Sequence, residues 1–172
     1  GHEVVYSDTD SIFVRSPVDK QAPIKRPEDE DESLSEWEGA KRDALQFGER
    51  LADRFTREGA ELEFETALSA FFSHGAKKRY VGRVVWPREE MLIRGYEVRR
   101  TDSFALLTRT MTDMFEMILD GEEWDAVEMT KSVIDDVKAR RTDVADLVIS
   151  RSCKGTLRRD GSVDFPKVYD NP

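Results

Sequence analysis

Residues 3–15 of the sequence, EVVYSDTDSIFVR, place two aspartates one residue apart between two apolar runs. Glu3–Tyr6 and Ser11–Arg15 are rich in Val, Ile, Phe and Tyr, which are favoured in strands, whereas the intervening SDTD has the composition of a turn. The stretch therefore predicts a β-hairpin with Asp8 and Asp10 at or beside its tip. Because neighbouring carboxylates repel each other, a cation or hydrogen-bond donors must compensate for their charge.

Three kinds of structure place carboxylates at this spacing. A plain polar turn is the first, since Asp, Ser and Thr form local hydrogen bonds there. A calcium loop is the second, but it fails because the next ligand position holds Ile12 and the position that needs glycine holds Phe13. The third is a magnesium site that also holds substrate phosphates. One hairpin offers too few ligands for such a site, so a further carboxylate is expected from elsewhere.

The charge of the chain is uneven. Its 172 residues carry a formal net charge of −9, which does not suit a protein that coats nucleic acid by positive charge alone. Residues 77–109 nevertheless hold nine Lys or Arg against four acids. Arginine predominates over lysine and the acids are spread widely, as in proteins of a salt-rich cytoplasm. The alternative is one acidic loop, PEDEDESLSEWE at Pro27–Glu38, which supplies part of the excess.

Other compositional features narrow the setting. Cys153 is the single cysteine, which rules out an internal disulfide and fits a reducing compartment, so the cytoplasm is the predicted location. No apolar run approaches the length of a membrane span, and no signal peptide begins the sequence. The first residues have the composition of a strand and lack an initiator Met, so we expect this chain to be part of a longer one.

The rest of the first hundred residues predicts a helix packed on a sheet. After a Pro-rich acidic loop over residues 16–34, Ser35 and Glu38 have the spacing of a capping box. Apolar residues then recur at helical steps until Gly59, namely Trp37, Ala40, Ala44, Phe47, Leu51 and Phe55. This stripe is interpreted as core packing. Four strands are predicted next, at ELEFE, LSAFFS, AKKRYVGRVVW and MLIRGYEVRR.

The remaining residues are predicted to be mainly helical. Residues 103–120 and 122–140 form two helical patterns separated by Gly121. A short strand is predicted at 147–150, followed by an irregular basic tail. The fold class is therefore α+β, an antiparallel sheet with a hairpin and a packed helix, followed by helices. The expected division is 1–100 for the sheet part and 101–172 for the helical part.

The stretch KKRYVGRVV, residues 77–85, is the main candidate for nucleic-acid contact. In a strand, alternate side chains share a face, so Lys78 and Tyr80 are predicted to point one way, and Lys77 and Arg79 the other. An ammonium beside a phenol suits a phosphate backbone. The alternative is an exposed strand whose charges serve solubility. The local basic excess in an acidic chain favours contact with nucleic acid.

Further basic residues are less specific. Arg99 and Arg100, in RGYEVRRTD, suit bidentate phosphate binding, with ion pairing to nearby carboxylates as the equal alternative. The later cluster of Arg151, Lys154, Arg158 and Arg159 has no diagnostic spacing. His74 lacks a metal-ligand partner and is predicted to be a loop residue. No P-loop, Rossmann or zincin motif occurs in the sequence.

The order of these motifs resembles the end of the palm and the start of the thumb of family B DNA polymerases, and is most similar to the archaeal replicative members. The resemblance comprises YSDTDS on a hairpin, a long helix, LEFE, KKRY, GYEVRRTD and two helices. It covers nearly the whole chain apart from the acidic loop. Together with the acidic, arginine-biased composition, it suggests a haloarchaeal source.

The resemblance implies roles for particular residues. Asp10 matches the principal ligand of the catalytic magnesium ions, and Asp8 matches a supporting carboxylate. Lys78 and Tyr80 match the KxY positions that contact the primer strand near its 3′ end, with Lys77 adjacent.

Arg99, Arg100 and Asp102 match a segment entering the thumb, where Ser103 replaces a common tryptophan. Ser7 replaces the usual glycine of YGDTDS, and it would be strained if the turn required positive φ.

The implied activity is that of a DNA-directed DNA polymerase, which extends a primer by template-directed nucleotidyl transfer. The implied cofactor is a pair of Mg²⁺ ions, shared with a carboxylate that this chain lacks. The implied partners are primer-template DNA, a dNTP and the remainder of the polymerase chain, with no membrane. We find no DxxSLYPS-type segment, no KxxxNSxYG motif and no exonuclease carboxylates, so the chain alone is expected to be inactive.

Two alternatives to a polymerase fragment differ in class. A non-catalytic DNA-binding or structural module could keep a polymerase-like sheet. A nucleotidyl cyclase with a similar palm has no support from KKRY or from the later helices.

Overall fold

The fold is known from a computed structural model, which describes residues 2–18, 22–28, 31–96, 98, 103–149 and 155–164. In these ranges the chain forms three antiparallel sheets and three α-helices. The predicted α+β class is therefore confirmed. None of the described helices has the length and apolar character needed to cross a membrane.

The predicted N-terminal hairpin is present. Strand β1, Val4–Ser7, pairs antiparallel with β2, Ile12–Val14, and the backbone N–H of Asp8 donates to Ser11 O over 2.9 Å to close the turn. Both aspartates lie between the strands, as predicted. Among the described non-glycine residues only Lys78 and Arg140 have positive φ, so Ser7 occupies the usual glycine position without that strain.

A second sheet of three strands follows. Its order is β3 (Ala67–Phe72), β4 (Tyr80–Trp86) and β5 (Glu90–Arg94), with antiparallel pairing throughout. Strand β4 is central and apolar on both faces, because Val81, Val84 and Val85 are all buried. This burial on two sides follows from the helices that flank the sheet.

Helix α1, Glu32–Arg57, packs on one side of this sheet. Its Trp37 is buried with Ala67 of β3 and Val85 of β4, and Phe64 stacks on Trp86 with ring centroids 5.1 Å apart. A Cβ at Gly48 would lie 2.3 Å from the Phe64 ring, so the absence of a side chain lets that ring reach the helix backbone. The helical stripe thus packs as predicted.

Helices α2, Ala105–Leu119, and α3, Glu123–Lys138, form the second half of the structure. Gly121 separates them with φ 82°, as the sequence indicated. Phe115 and Leu119 of α2 are buried with Val81 of β4 and with Val98, which joins the two halves through one apolar cluster.

The apolar residues of α3 are less covered than those of α2. Trp124 and Ile134 of α3 are both exposed, Trp124 to 83%. Val127 lines a groove of about 400 Å³ with Phe72 of β3 and Ile118 of α2.

Several local predictions are wrong. Helix α1 begins at Glu32, and its N-cap is Asp31, whose carboxylate accepts the Ser33 N–H over 2.9 Å; the predicted cap, Ser35, lies inside the helix. Asp31 is the N-cap because its carboxylate accepts hydrogen bonds from both the backbone N–H and the hydroxyl of Ser33. Residues 61–65, ELEFE, form no strand, because Phe64 turns its ring onto α1 instead of pairing in the sheet.

The C-terminal predictions also need correction. Val144–Leu147 is a short 3-10 helix rather than the start of a strand at 147–150, and the Asp143 carboxylate caps it by accepting the Ala145 N–H over 2.9 Å. The supposedly irregular tail contains a hairpin of β6, Thr156–Leu157, and β7, Val163–Asp164. Gly161, with φ 85°, supplies its turn.

Candidate functional site

Asp8 is held at the hairpin turn by its neighbours. Its Oδ1 accepts hydrogen bonds from the backbone N–H of Thr9 over 2.8 Å and from the Thr9 hydroxyl over 3.2 Å. The Thr9 backbone hydrogen bond lowers the pKa of the Asp8 carboxyl below its ordinary value, the Thr9 hydroxyl and Lys78 lower it further, and partial desolvation opposes them. These donors stabilise the ionised form of Asp8.

Asp10 lies two residues further along the same turn and is exposed. Carboxylates of this kind are the ligands that Mg²⁺ prefers, so Asp8 and Asp10 fit the ion in donor type. They do not complete a coordination shell, because no group of three or more Asp, Glu, His or Cys in the described part of the chain could hold a metal ion. The pair can therefore supply only part of a site.

Four aromatic rings join the β1–β2 hairpin to the larger sheet. Tyr6 and Phe13 of the hairpin pack against Phe71 of β3 and Tyr80 of β4, with centroid distances between 5.1 and 5.9 Å. Aromatic pairs at such distances stabilise beyond the burial of their area. This cluster fixes the position of the carboxylate turn relative to β4.

The structure brings the KKRY stretch directly to this hairpin. The backbone N–H of Lys78 donates to the hydroxyl of Tyr6 over 2.9 Å. The ammonium nitrogen of Lys78 lies 3.5 Å from Oδ1 of Asp8, and the Tyr80 ring lies 5.1 Å from that of Tyr6. The two motifs that the sequence singled out separately therefore form one surface, which we call the hairpin–lysine site: Tyr6, Asp8, Asp10, Lys77, Lys78 and Tyr80.

The predicted strand conformation of Lys77–Arg79 is wrong. These residues form a turn before β4, which begins at Tyr80, and Lys78 has φ 61°. The Arg79 N–H donates to Ala76 O over 3.2 Å, and this bond closes the turn in place of strand pairing. Alternation along a strand is therefore not the reason that Lys78 and Tyr80 share a side; both do so because they contact the β1–β2 hairpin.

A glycine makes the Lys78 turn possible. A Cβ placed on Gly95 would lie 2.0 Å from Lys78 O, and the φ of Gly95 is 73°. Only a residue without a side chain lets the end of β5 approach the turn so closely. The Ser73 hydroxyl adds a further restraint by donating to Arg79 O over 3.1 Å.

Other basic residues of the 77–109 region are engaged in ion pairs. Arg83 pairs with Asp120 over 2.7 Å, with both side chains mostly buried. Arg109 pairs with Asp146 over 2.8 Å, and this carboxylate raises the pKa of the guanidinium. These contacts hold the fold together and reduce the positive charge available to a ligand. Lys77 is exposed beside Lys78, whose side chain is 69% exposed.

Some predicted residues cannot be placed. Arg99, Arg100 and Asp102 lie outside the described residues, as do Cys153, Arg151 and Lys154. His74 is a loop residue as predicted, and its Nδ1 accepts the Ala76 N–H over 3.3 Å. Arg158, of the weak basic cluster, pairs with Asp164 over 2.8 Å.

Sequence reasoning missed the role of Tyr6 in the hairpin–lysine site and the role of Gly95 beside it. The sequence indicates Tyr6 only as a strand residue, and nothing local marks the acceptor role of its hydroxyl. Gly95 follows β5 directly, and a glycine just after an apolar strand is a usable signal for close backbone approach.

The fold and the site together define an α+β protein in which a carboxylate hairpin and a lysine turn adjoin on a small antiparallel sheet. The chain belongs to DNA polymerase family B, whose model matches residues 34–169. The match begins after the β1–β2 hairpin, so it includes the Lys78 turn but not Asp8 and Asp10.

The curated relatives that the chain matches are also named DNA polymerases. The chain is 28% identical over 158 residues to the DNA polymerase delta catalytic subunit of Dictyostelium discoideum. It is 28% identical over 152 residues to DNA polymerase 2 of Aeropyrum pernix and 26% identical over 153 residues to DNA polymerase II of Escherichia coli. These alignments cover 89%, 87% and 83% of this chain but only 13%, 15% and 18% of the relatives. The chain therefore spans less than a fifth of the length of each of these proteins.

Proposed function

We propose that this chain is the end of the palm and the start of the thumb of a longer DNA-directed DNA polymerase. In this proposal, residues 1–100 belong to the palm and residues 101–172 to the thumb. The observation that carries it is the adjacency of two motifs 70 positions apart in sequence, since Lys78 contacts Asp8 and Tyr6 in a chain of family B. A cation beside a carboxylate turn is what a site for a primer phosphate and a nucleotide requires.

Asp10 and Asp8 are the proposed magnesium ligands, Asp10 the principal one. Their donor type fits the ion, and the missing ligands include a carboxylate from a part of the polymerase outside this chain. What Mg²⁺ supplies in such a site is neutralisation of phosphate charge during in-line transfer to the primer 3′ hydroxyl. Hydrogen bonds from Thr9 favour the charged form of Asp8, which is the form that binds a cation.

Lys77, Lys78 and Tyr80 are the proposed primer contacts, with Arg99 and Arg100 further along. The ammonium of Lys78 lies next to the carboxylate turn, so it can neutralise a phosphate close to the metal ligands. The Tyr80 ring is half-buried in the aromatic cluster, which gives it a fixed position for packing against a sugar.

The source and location remain proposals from composition. The acidic, arginine-biased sequence supports a haloarchaeal polymerase that works in the cytoplasm. The chain alone is proposed to be inactive.

Primer extension tests the proposal. We expect no extension when the 172-residue chain is incubated with primer-template DNA, nucleotides and magnesium, and extension by the longer polymerase. Asp10→Ala in the longer polymerase should abolish extension while primer binding is kept. Asp53→Ala, an exposed aspartate on α1, is the matched control and should extend normally. Robust extension by the isolated chain would contradict the claim that it carries only part of the active site.

The alternative is a DNA-binding or structural module without catalysis. The exposure of Asp10 and the absence of a third ligand among the described residues are compatible with it. It predicts that Asp10→Ala leaves every activity of the longer protein unchanged, so the same variant separates the two functions.

A further inference from the structure

Tyr6 makes a contact that its place in a strand does not require. Its hydroxyl oxygen accepts the backbone N–H of Lys78, a residue 72 positions later, over 2.9 Å. The Tyr6 ring is half-buried among Phe13, Phe71 and Tyr80, so the hydroxyl has a defined position. A half-buried tyrosine hydroxyl usually finds a hydrogen-bond partner, and here that partner is the main chain of the Lys78 turn.

Lys78 needs such a contact because of its backbone conformation. Its φ of 61° lies in the left-handed region, which is unfavourable for a residue with a side chain unless the surroundings impose it. Gly95 and Ser73 restrain the turn from the larger sheet. Among the described residues, Tyr6 supplies the hydrogen bond that restrains the Lys78 backbone from the β1–β2 hairpin.

The same hairpin residue therefore controls where the Lys78 side chain begins. The ammonium nitrogen of Lys78 ends 3.5 Å from Oδ1 of Asp8, which lies in the turn directly after the strand that carries Tyr6. Although the side chain is 69% exposed and could reach many directions, its Cα is held by the Tyr6 contact on one side and by the close approach of Gly95 on the other.

We propose that Tyr6 is a positioning residue for primer binding: its hydroxyl holds the left-handed turn that presents the ammonium group of Lys78 to a primer phosphate beside Asp8. This inference rests on the proposed polymerase function. Because Tyr6 belongs to the β1–β2 hairpin, a displacement of the carboxylate turn also displaces Lys78. The metal ligands and the primer contact are thereby coupled through Tyr6.

The first test is independent of DNA. In the 172-residue chain, Tyr6→Phe removes only the acceptor oxygen, and the amide of Lys78 should exchange with solvent about fivefold faster relative to the buried Val81 amide, measured by NMR. Phe64→Leu is the control, because it removes an aromatic ring from the packing of α1 on the sheet, in a cluster separate from the one that holds Tyr6. The control should leave the ratio of the Lys78 amide exchange rate to the Val81 amide exchange rate unchanged. An unchanged ratio in Tyr6→Phe would overturn the inference.

The second test measures primer-template affinity of the longer polymerase across a range of salt concentrations. Tyr6→Phe should weaken binding about fivefold and flatten the salt dependence, whereas Phe64→Leu should leave the slope as it is. Lys78→Gly keeps a residue that tolerates the left-handed turn but lacks the ammonium group. In a Lys78→Gly background, adding Tyr6→Phe should cause no further loss of affinity.

The outcomes separate this inference from the function on which it rests. Equal weakening by Tyr6→Phe in both backgrounds would show that the tyrosine acts other than through Lys78, and would overturn the positioning role. A wild-type polymerase that binds no primer-template DNA would refute the proposed function and the primer-binding part of the inference with it. The exchange experiment would still decide whether Tyr6 holds the Lys78 turn.

Discussion

The ammonium nitrogen of Lys78 lies 3.5 Å from Oδ1 of Asp8, and the backbone of the same lysine donates to the hydroxyl of Tyr6. One residue is thus tied to the β1–β2 hairpin by both its side chain and its main chain. The hairpin and the Lys78 turn are far apart in sequence, so their contact depends on the tertiary fold. This contact joins two separate motifs into one candidate site.

Lys78 should contribute about one phosphate contact. In the longer polymerase, Lys78→Ala is expected to weaken DNA binding and to lower the slope of log affinity against log salt by about one. Fluorescence anisotropy with labelled primer-template at several salt concentrations measures both. Lys41→Ala is a matched control, because Lys41 lies on α1 over the Trp37 ring, away from the hairpin–lysine site. An unaltered slope in Lys78→Ala would contradict the primer-contact role.

Gly95 should tolerate alanine poorly because its Cβ would overlap Lys78 O. Gly59 has a similarly positive φ of 95° but open space around its Cβ position, so Gly59→Ala measures the conformational strain alone, about 1–2 kcal/mol. Gly95→Ala is expected to cost about 1–3 kcal/mol more in the free energy of unfolding, since the turn must also shift. Urea denaturation of both variants gives the difference. Equal losses would mean that the close approach carries no energetic weight.

The ion pair between Arg83 and Asp120 should stabilise the junction of β4 with the end of α2. Both side chains are mostly buried, at 17% and 16% exposed. Lys25, in the segment that precedes α1, also contacts the Asp120 carboxylate. Asp120→Asn should lower the free energy of unfolding by about 1.5–3 kcal/mol, because it leaves a shielded guanidinium without its counter-charge. Chemical denaturation measures the loss.

The pair of Arg15 with Glu3 is the comparison for that experiment. Its side chains are 53% and 62% exposed, so Glu3→Gln should cost less than about 1 kcal/mol, and added salt should reduce even that. If both variants lost equally little, the burial of the Arg83 pair would have no effect on its strength.

Asp31 should make the stability of α1 depend on acid pH. The Ser33 hydroxyl and then the Ser33 N–H lower the pKa of the Asp31 carboxyl below its ordinary value of 3.8. A lowered folded pKa means that the stabilisation is present above pH 3.8 and is lost as the pH falls through the folded value. Asp31→Asn keeps a cap that does not titrate, so its stability relative to the wild type should rise at low pH. Thermal unfolding across this range measures the crossover.

A non-capping variant checks the same helix start at neutral pH. Asp31→Ala should lower Tm by about 2–4 °C, whereas Ser35→Ala should leave it nearly unchanged, because Ser35 lies within α1. The opposite ranking would favour the capping box that the sequence pattern indicated.

Much of the fold could be predicted because its signals are local. The alternation of strand formers and turn residues in residues 3–15 requires only neighbours in sequence, and so does the helical stripe that contains Trp37. Gly59 and Gly121 marked helix ends correctly because positive φ is available to glycine at little cost. One error arose where a distant contact overrides local preference, at Phe64, whose ring packs on α1 instead of joining a strand.

The candidate site divides in the same way. Sequence alone determined the pair Asp8 and Asp10 on a hairpin, the basic stretch around Lys78 and the α+β class, because spacing and composition encode them. Only the tertiary structure decided that the Lys78 turn lies against the carboxylates, with Tyr6 as acceptor and Gly95 allowing close approach. Those contacts depend on how the aromatic cluster seats the hairpin on the larger sheet, and packing between elements distant in sequence leaves no periodic signal in either one.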